Sequence, residues 1–168
     1  MEPYVIADAG LVTVSLIIDT DYILKNFPDA GLNKKGAMRV DAGVLSMLSD
    51  MKSIVSGYNS CNLKIKANIG DVIVFEAEPK YFIAKECIQL YKIIPCIGRL
   101  DILPCSNEDE LLTSDCNKPE TKKFMAMVKR KGLEQIEVRF SVYTLAGDGV
   151  NYNFHGTFYC DLLGLEVQ

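Results

Sequence analysis

Two stretches near the C-terminus alternate apolar and polar side chains on either side of a glycine-rich turn, and few patterns restrict a fold so tightly. Ile136, Val138, Phe140, Val142 and Thr144 share one face of the first stretch; Tyr152, Phe154, Phe158 and Cys160 share one face of the second. A period of two is that of a strand with one buried face. Residues opposite each other in an antiparallel pair lie on the same face, so paired residue numbers should sum to an even value. A three-residue loop of Gly147, Asp148 and Gly149 meets that condition, with Gly149 supplying the positive φ of a bulged turn. The predicted register sets Ala146 opposite Val150, Phe140 opposite Gly156 and Ser141 opposite His155.

The same alternation recurs upstream. It predicts strands over Val12–Ile18, Leu63–Ala67, Val72–Ala77 and Ile88–Ile94, besides Ile136–Leu145 and Tyr152–Cys160. Val72 to Phe75 is continuously apolar and reads as a strand covered on both faces. Pro95 and Pro104 suit sheet edges or strand ends. Turn clusters separate the strands at Phe27–Gly31 and at Asn68-Ile69-Gly70-Asp71. Thr20 or Asp21 is placed to cap one short helical turn ending at Asn26. Val40, Val44, Leu45, Leu48 and Met51 recur at helical spacing, which reads as a short helix within residues 36–56. The polar stretch from Pro104 to Thr121 reads as a mobile surface loop. Lys122, Lys123, Lys129, Arg130 and Lys131 bracket Phe124, Met125, Met127 and Val128, a solvated stretch around a buried anchor. Many short strands and few helices define a mostly β chain: one domain over residues 1–168, an antiparallel, jelly-roll-like β-sandwich with one or two short helices.

Composition narrows the function. The net charge of −4, from 18 basic and 22 acidic residues, argues against a nucleic-acid partner, which needs a clustered basic face. Leu11 to Ile18 has the length of a secretory apolar region, but Glu2 and Asp8 precede it and the first basic residue is Lys25, so no signal peptide is read. No segment is long enough for a membrane-spanning helix. The expected compartment is the cytoplasm. There, Cys61, Cys87, Cys96, Cys105, Cys116 and Cys160 are expected as reduced thiols, with Cys105 and Cys116 the ones open to oxidation in their polar loop. They form no C-x-x-C pair and have one histidine for company, so no metal site and no cofactor are expected.

Catalytic patterns are lacking as well. His155 is the lone histidine and falls on the polar face of its strand, where a solvated side chain is the ordinary outcome. Its predicted neighbour Ser141 makes half of a nucleophile–base pair. The nearest acid on that face, Glu137, lies about 13 Å along the strand, too far to orient an imidazole. No phosphate-cradling loop, H-E-x-x-H or G-x-S-x-G is present. Asp19, Thr20 and Asp21, at a strand exit, are the candidate ligand-binding residues; a helix cap and turn is the alternative use of the same box. Carbohydrate sites need convergent polar groups and an aromatic platform; the chain has eight tyrosines but no tryptophan.

Spaced segments resemble the bacterial AidA/PixA inclusion-body protein family. Leu16-Ile17-Ile18-Asp19-Thr20-Asp21, followed by Asn26 and Pro28, is similar to its strand, I-D-T box and turn. Ser56-Gly57 and Lys66-Ala67-Asn68-Ile69-Gly70-Asp71 are similar to its central segments, and Val138–Leu145 with Gly156-Thr157-Phe158-Tyr159 to its final hairpin. The chain departs from the family's closing Y-F-x-W-D-P: Asp161 is kept, but Cys160 and Leu162 stand where tryptophan and proline are usual. The resemblance implies an abundant protein, in some members stored as crystalline cytoplasmic inclusions, and carries over no catalytic residue. The function expected is therefore a non-enzymatic one: self-association, as a dimer or higher homo-oligomer, into ordered cytoplasmic inclusions. The alternative is a lectin-like module for a carbohydrate or other small ligand.

Overall fold

The alternating C-terminal stretches become the two longest strands, β10 (Gly132–Leu145) and β11 (Tyr152–Val167), in a computed structural model that describes residues 10–30, 36–81, 85–105, 119 and 122–168. Ahead of them come β1 (Leu11–Ile18), α1 (Thr20–Asn26), β2 (Met38–Arg39), β3 (Leu45–Ser49), β4 (Ile54–Ser56), β5 (Asn62–Ile65), β6 (Val72–Pro79), β7 (Glu86–Ile97), β8 (Ile102–Pro104) and β9 (Phe124–Met127). The first sheet has the order β3-β1-β6-β9-β8; the second runs β4-β5-β11-β10-β7, with β2 also pairing to β11. Every strand predicted from alternation is present. The pairing is not uniformly antiparallel, because β1 runs parallel to β6, and β11 runs parallel to both β2 and β5.

Both sheets contribute to one apolar core. Val14, Leu16, Ile73 and Phe75 come from the first, and Leu90, Ile136, Val138, Phe140, Phe158 and Leu163 from the second. Ile23 of α1 is sealed into the same cluster. Fully burying side chains of this size stabilises by about 1.5–3 kcal/mol each. Phe140 and Phe158, directly opposed across β10 and β11, stack with ring centroids 5.9 Å apart. In β6 the apolar run is covered on one face only: Ile73 and Phe75 are buried, while Val72 and Val74 stay partly open.

Residues 36–56 are not a helix. They form β2, a single 3-10 turn over Ala42–Val44, β3 and β4. Of the five residues at helical spacing, Val40, Val44 and Leu45 reach the core around the turn at Ala42–Val44, while Leu48 is half-buried and Met51 is exposed, so the spacing arose without a helix. The stretch from Pro104 to Thr121 lies almost entirely outside the described residues, as does Cys116.

Edges and turns follow local chemistry. Pro95 lies in β7 and Pro104 in β8, the edge strands of their sheets, where a missing N–H costs no ladder bond. The turn at Asn68–Asp71 is closed by Asp71, whose carboxylate accepts from Asn68 N at 2.8 Å and from Gly10 N at 2.9 Å. Gly57, at φ +77°, is required because a Cβ there would lie 1.8 Å from the Asn62 carbonyl oxygen.

The C-terminal hairpin departs from the predicted register. Ala146 N donates to Asn151 O at 2.7 Å, and Leu145 pairs with Tyr152, so the loop is longer than three residues. Near the tip, paired numbers have an odd sum: Tyr143 faces Phe154 and Thr144 faces Asn153. An extra residue in β11, His155, then restores the even sum, so Val142 faces Gly156, Ser141 faces Thr157 and Phe140 faces Phe158. The even sum runs from Val142–Gly156 to Val138–Cys160, and a second shift beyond Val138 makes it odd again, with Ile136 facing Leu163 in the core. Bulges join the segments of different parity.

Candidate functional site

The Asp19-Thr20-Asp21 box serves the start of α1. Asp19, rather than Thr20 or Asp21, is the N-cap, accepting from Tyr22 N at 3.1 Å through one carboxylate oxygen. Its other oxygen pairs with Lys80 Nζ at 3.3 Å. Lys80 is raised above the ordinary lysine value by this hydrogen bond and the Asp19 charge. Thr20 is fully buried, with its hydroxyl lacking a hydrogen-bond partner, and Asp21 is exposed in the first helical turn. The three side chains point to three different environments and do not converge.

His155 is not a solvated side chain. As the bulged residue of β11 it turns toward the exit of α1, with Nε2 2.9 Å from the Phe27 carbonyl oxygen and its ring stacked near Phe158. It is not opposite Ser141, whose Oγ instead lies 3.2 Å from Thr157 Oγ1. No nucleophile–base pair forms between Ser141 and His155. Among the described residues, no three His, Cys, Asp or Glu side chains group closely enough to hold a metal ion.

The hydroxyl pair of Ser141 and Thr157 lines a cleft of about 430 Å³ in the second sheet. Tyr91 and Phe154 supply aromatic surface, and Ala30, Gly36 and Ala37 line it as well. The cleft sits where the sheet is most irregular. Tyr91 is an extra residue in β7, inserted between the pairs Arg139–Lys92 and Phe140–Leu90, and His155 is an extra residue in β11. Two bulges therefore flank Ser141, one on each neighbouring strand, and bulges re-aim side chains in this way at functional sites. The Tyr91 phenol is pushed up from its ordinary value by burial, with Arg139 acting against that shift by its charge and hydrogen bond. Arg139 is in turn held by Glu137 at 2.8 Å. Next to the cleft, Tyr143 packs edge-on to Phe154 at 5.6 Å and its hydroxyl donates to Gln89 Oε1 at 3.2 Å.

The first sheet presents a different surface. Leu11, Val72 and Met127 pair in one row across its outer face; Val74, Met125 and Leu103 pair in the next. Leu11 is 65% exposed, Leu103 63%, Met127 54% and Met125 42%. The alternation in β9 explains this: Phe124 and Ala126 enter the core, so the two methionines must face out. The basic stretch, expected to have one buried anchor, has three in Phe124, Ala126 and Val128, and Lys123, Lys129 and Arg130 pair with Glu76, Asp101 and Glu134 around it.

Sequence reading missed both surfaces. The cleft depends on bulges, which no alternation pattern announces. The exposed methionines carried a signal in the Phe-Met-Ala-Met alternation, which was open to reading as strand.

Fold and motifs converge on one family. The chain belongs to the PixA inclusion body protein family, whose profile matches residues 11–161. It is similar in structure to an inclusion body protein of that family from Burkholderia cenocepacia J2315, with a TM-score of 0.74 and 18% identity over 98% of this chain and 99% of that one. No curated protein sequence matches it. The family's I-D-T box and its closing aspartate both have structural work here: Asp19 caps α1, and Asp161 pairs with Arg39 at 3.0 Å, tying β11 to β2.

Proposed function

We propose that this chain is a non-enzymatic protein that self-associates into ordered cytoplasmic inclusions, through the outer face of its first sheet. The observation that carries the reading is the two-row apolar patch of Leu11, Val72, Met127, Val74, Met125 and Leu103. Contiguous apolar surface of this kind is uncommon on a soluble monomer and marks a docking face. Its rim holds both signs of charge, with Lys123 beside Glu76 and Lys129 beside Asp101. A patch with a mixed rim is able to meet a second copy of itself across a two-fold axis, each acid against the other copy's lysine. Membership of an inclusion body protein family supports the same occupant, a second copy of this chain. Thin-section electron microscopy of cells making the protein tests the reading: ordered inclusions are expected, and protein dispersed evenly through the cytoplasm contradicts it.

A further inference from the structure

We propose that the cleft around Ser141 and Thr157 is a binding site for a neutral polyhydroxylated ligand, the size of one monosaccharide unit. This site is separate from the face proposed for self-association and does not rest on it. At about 430 Å³ the cleft lies within the range of small-ligand pockets, about 300–1,000 Å³. Its lining among the described residues is of hydroxyls, rings and small apolar groups. Arg139, which interacts with the Tyr91 phenol, is paired with Glu137.

What the lining offers is hydroxyls and rings. Each hydroxyl donates one hydrogen bond and accepts two. The Ser141–Thr157 contact uses one donor and one acceptor, so one donor and several lone pairs remain for a ligand. A sugar hydroxyl, itself donor and acceptor, matches that mixture. Phe154, 52% exposed, leaves ring surface for the apolar face of a pyranose. Tyr91 adds a second ring and a phenol, placed at the cleft by its bulge. The bulge at His155 is held shut by the contact with the Phe27 carbonyl, which fixes the β11 side of the cleft in advance of binding. The lectin-like alternative thus finds its groups at this cleft.

The test is a titration of the full chain with a panel of neutral methyl glycosides, read by backbone amide shifts. The expected result is saturable shifts clustered at Tyr91, Ser141, Phe154 and Thr157 for at least one glycoside. Phe154→Ala removes a half-exposed ring without opening the core and should weaken that binding about three- to tenfold. Asp19→Ala should leave it unchanged. Three outcomes overturn the proposal: no saturable shifts with any glycoside, shifts centred on residues 19–21 that Asp19→Ala abolishes, or equal binding of p-cresol, which has a ring but no polyol.

Discussion

The two sheets share one core yet treat their outer faces in opposite ways. In the first, the pairings of β1 with β3 and β6, and of β9 with β6 and β8, run without a register shift. In the second, β10 meets shifts against both neighbours, at Tyr91 and Cys96 in β7 and at two places in β11. Unbroken register lays side chains in continuous rows, and the result is an apolar patch suited to an extended partner surface. Broken register lifts side chains out of rows, and the result is a cleft suited to a small one. Regularity of pairing, and not residue type alone, sets what kind of partner a sheet face can meet.

The core belongs to both sheets. Phe140→Ala removes a fully buried ring stacked on Phe158 and should cost about 3–5 kcal/mol. Urea unfolding followed by tryptophan-free probes, such as tyrosine fluorescence and far-ultraviolet dichroism, should give one coincident transition for both sheets. Two separated transitions would break the shared-core premise.

The irregular sheet should also be the less forgiving. Gly98 leaves the edge of β7 at φ +118°, and a Cβ there would lie 1.4 Å from Glu134 Oε2. Glu134 is buried, accepts from Arg99 N at 2.9 Å and pairs with Arg130. Gly98→Ala should therefore cost about 2–4 kcal/mol, from backbone strain and the displaced carboxylate. Thr13→Val, on the outer face of the regular sheet, should shift stability by less than about 0.5 kcal/mol in the same urea assay. Equal costs would remove the contrast.

A smaller effect comes from Cys160, buried on the inner face of β11 and pushed up to about 12, first by burial and then by the Asp161 charge. A thiol held protonated in the fold contributes stability that is complete below its unfolded value, near 8.5, and is lost as pH rises toward the folded one. Stability measured by urea should therefore fall above about pH 9, and Cys160→Ala should flatten that fall. Under native conditions iodoacetamide should label exposed Cys96 well before Cys160, as read by peptide mass spectrometry.

Most of the fold was legible in the sequence because burial enforces a period of two. Val12 to Ile18 and Ile136 to Val142 alternate because one face of each is sealed. Residues 36–56 misled for a physical reason: Val40 follows β2, Val44 ends a 3-10 turn and Leu45 opens β3, and the spacing of these buried residues imitates a helix. The hairpin register was half legible. Parity holds only from Val138 to Val142, between two shifts in β11; it breaks at the exposed tip and again at the buried pair Ile136–Leu163, and nothing in the alternation announces either shift. The candidate box at Asp19 was legible as polar residues at a strand exit, and a cap is the use the structure gives Asp19. The cleft was not legible, because Tyr91 and His155 become bulges through pairing with a strand more than forty residues away in one case and across a hairpin in the other.

The most direct test of the contrast between the two faces is sedimentation velocity across a range of concentrations, comparing the native chain with Met125→Glu/Met127→Glu. Both methionines are exposed on the regular face, so the double variant should keep its unfolding midpoint to within about 0.5 kcal/mol in equivalent free energy. The native chain should show mass increasing with concentration, to a dimer or beyond, and the double variant should sediment as a monomer throughout. A double variant that assembles as the native chain does, with its fold intact, would contradict the assignment of self-association to the first sheet.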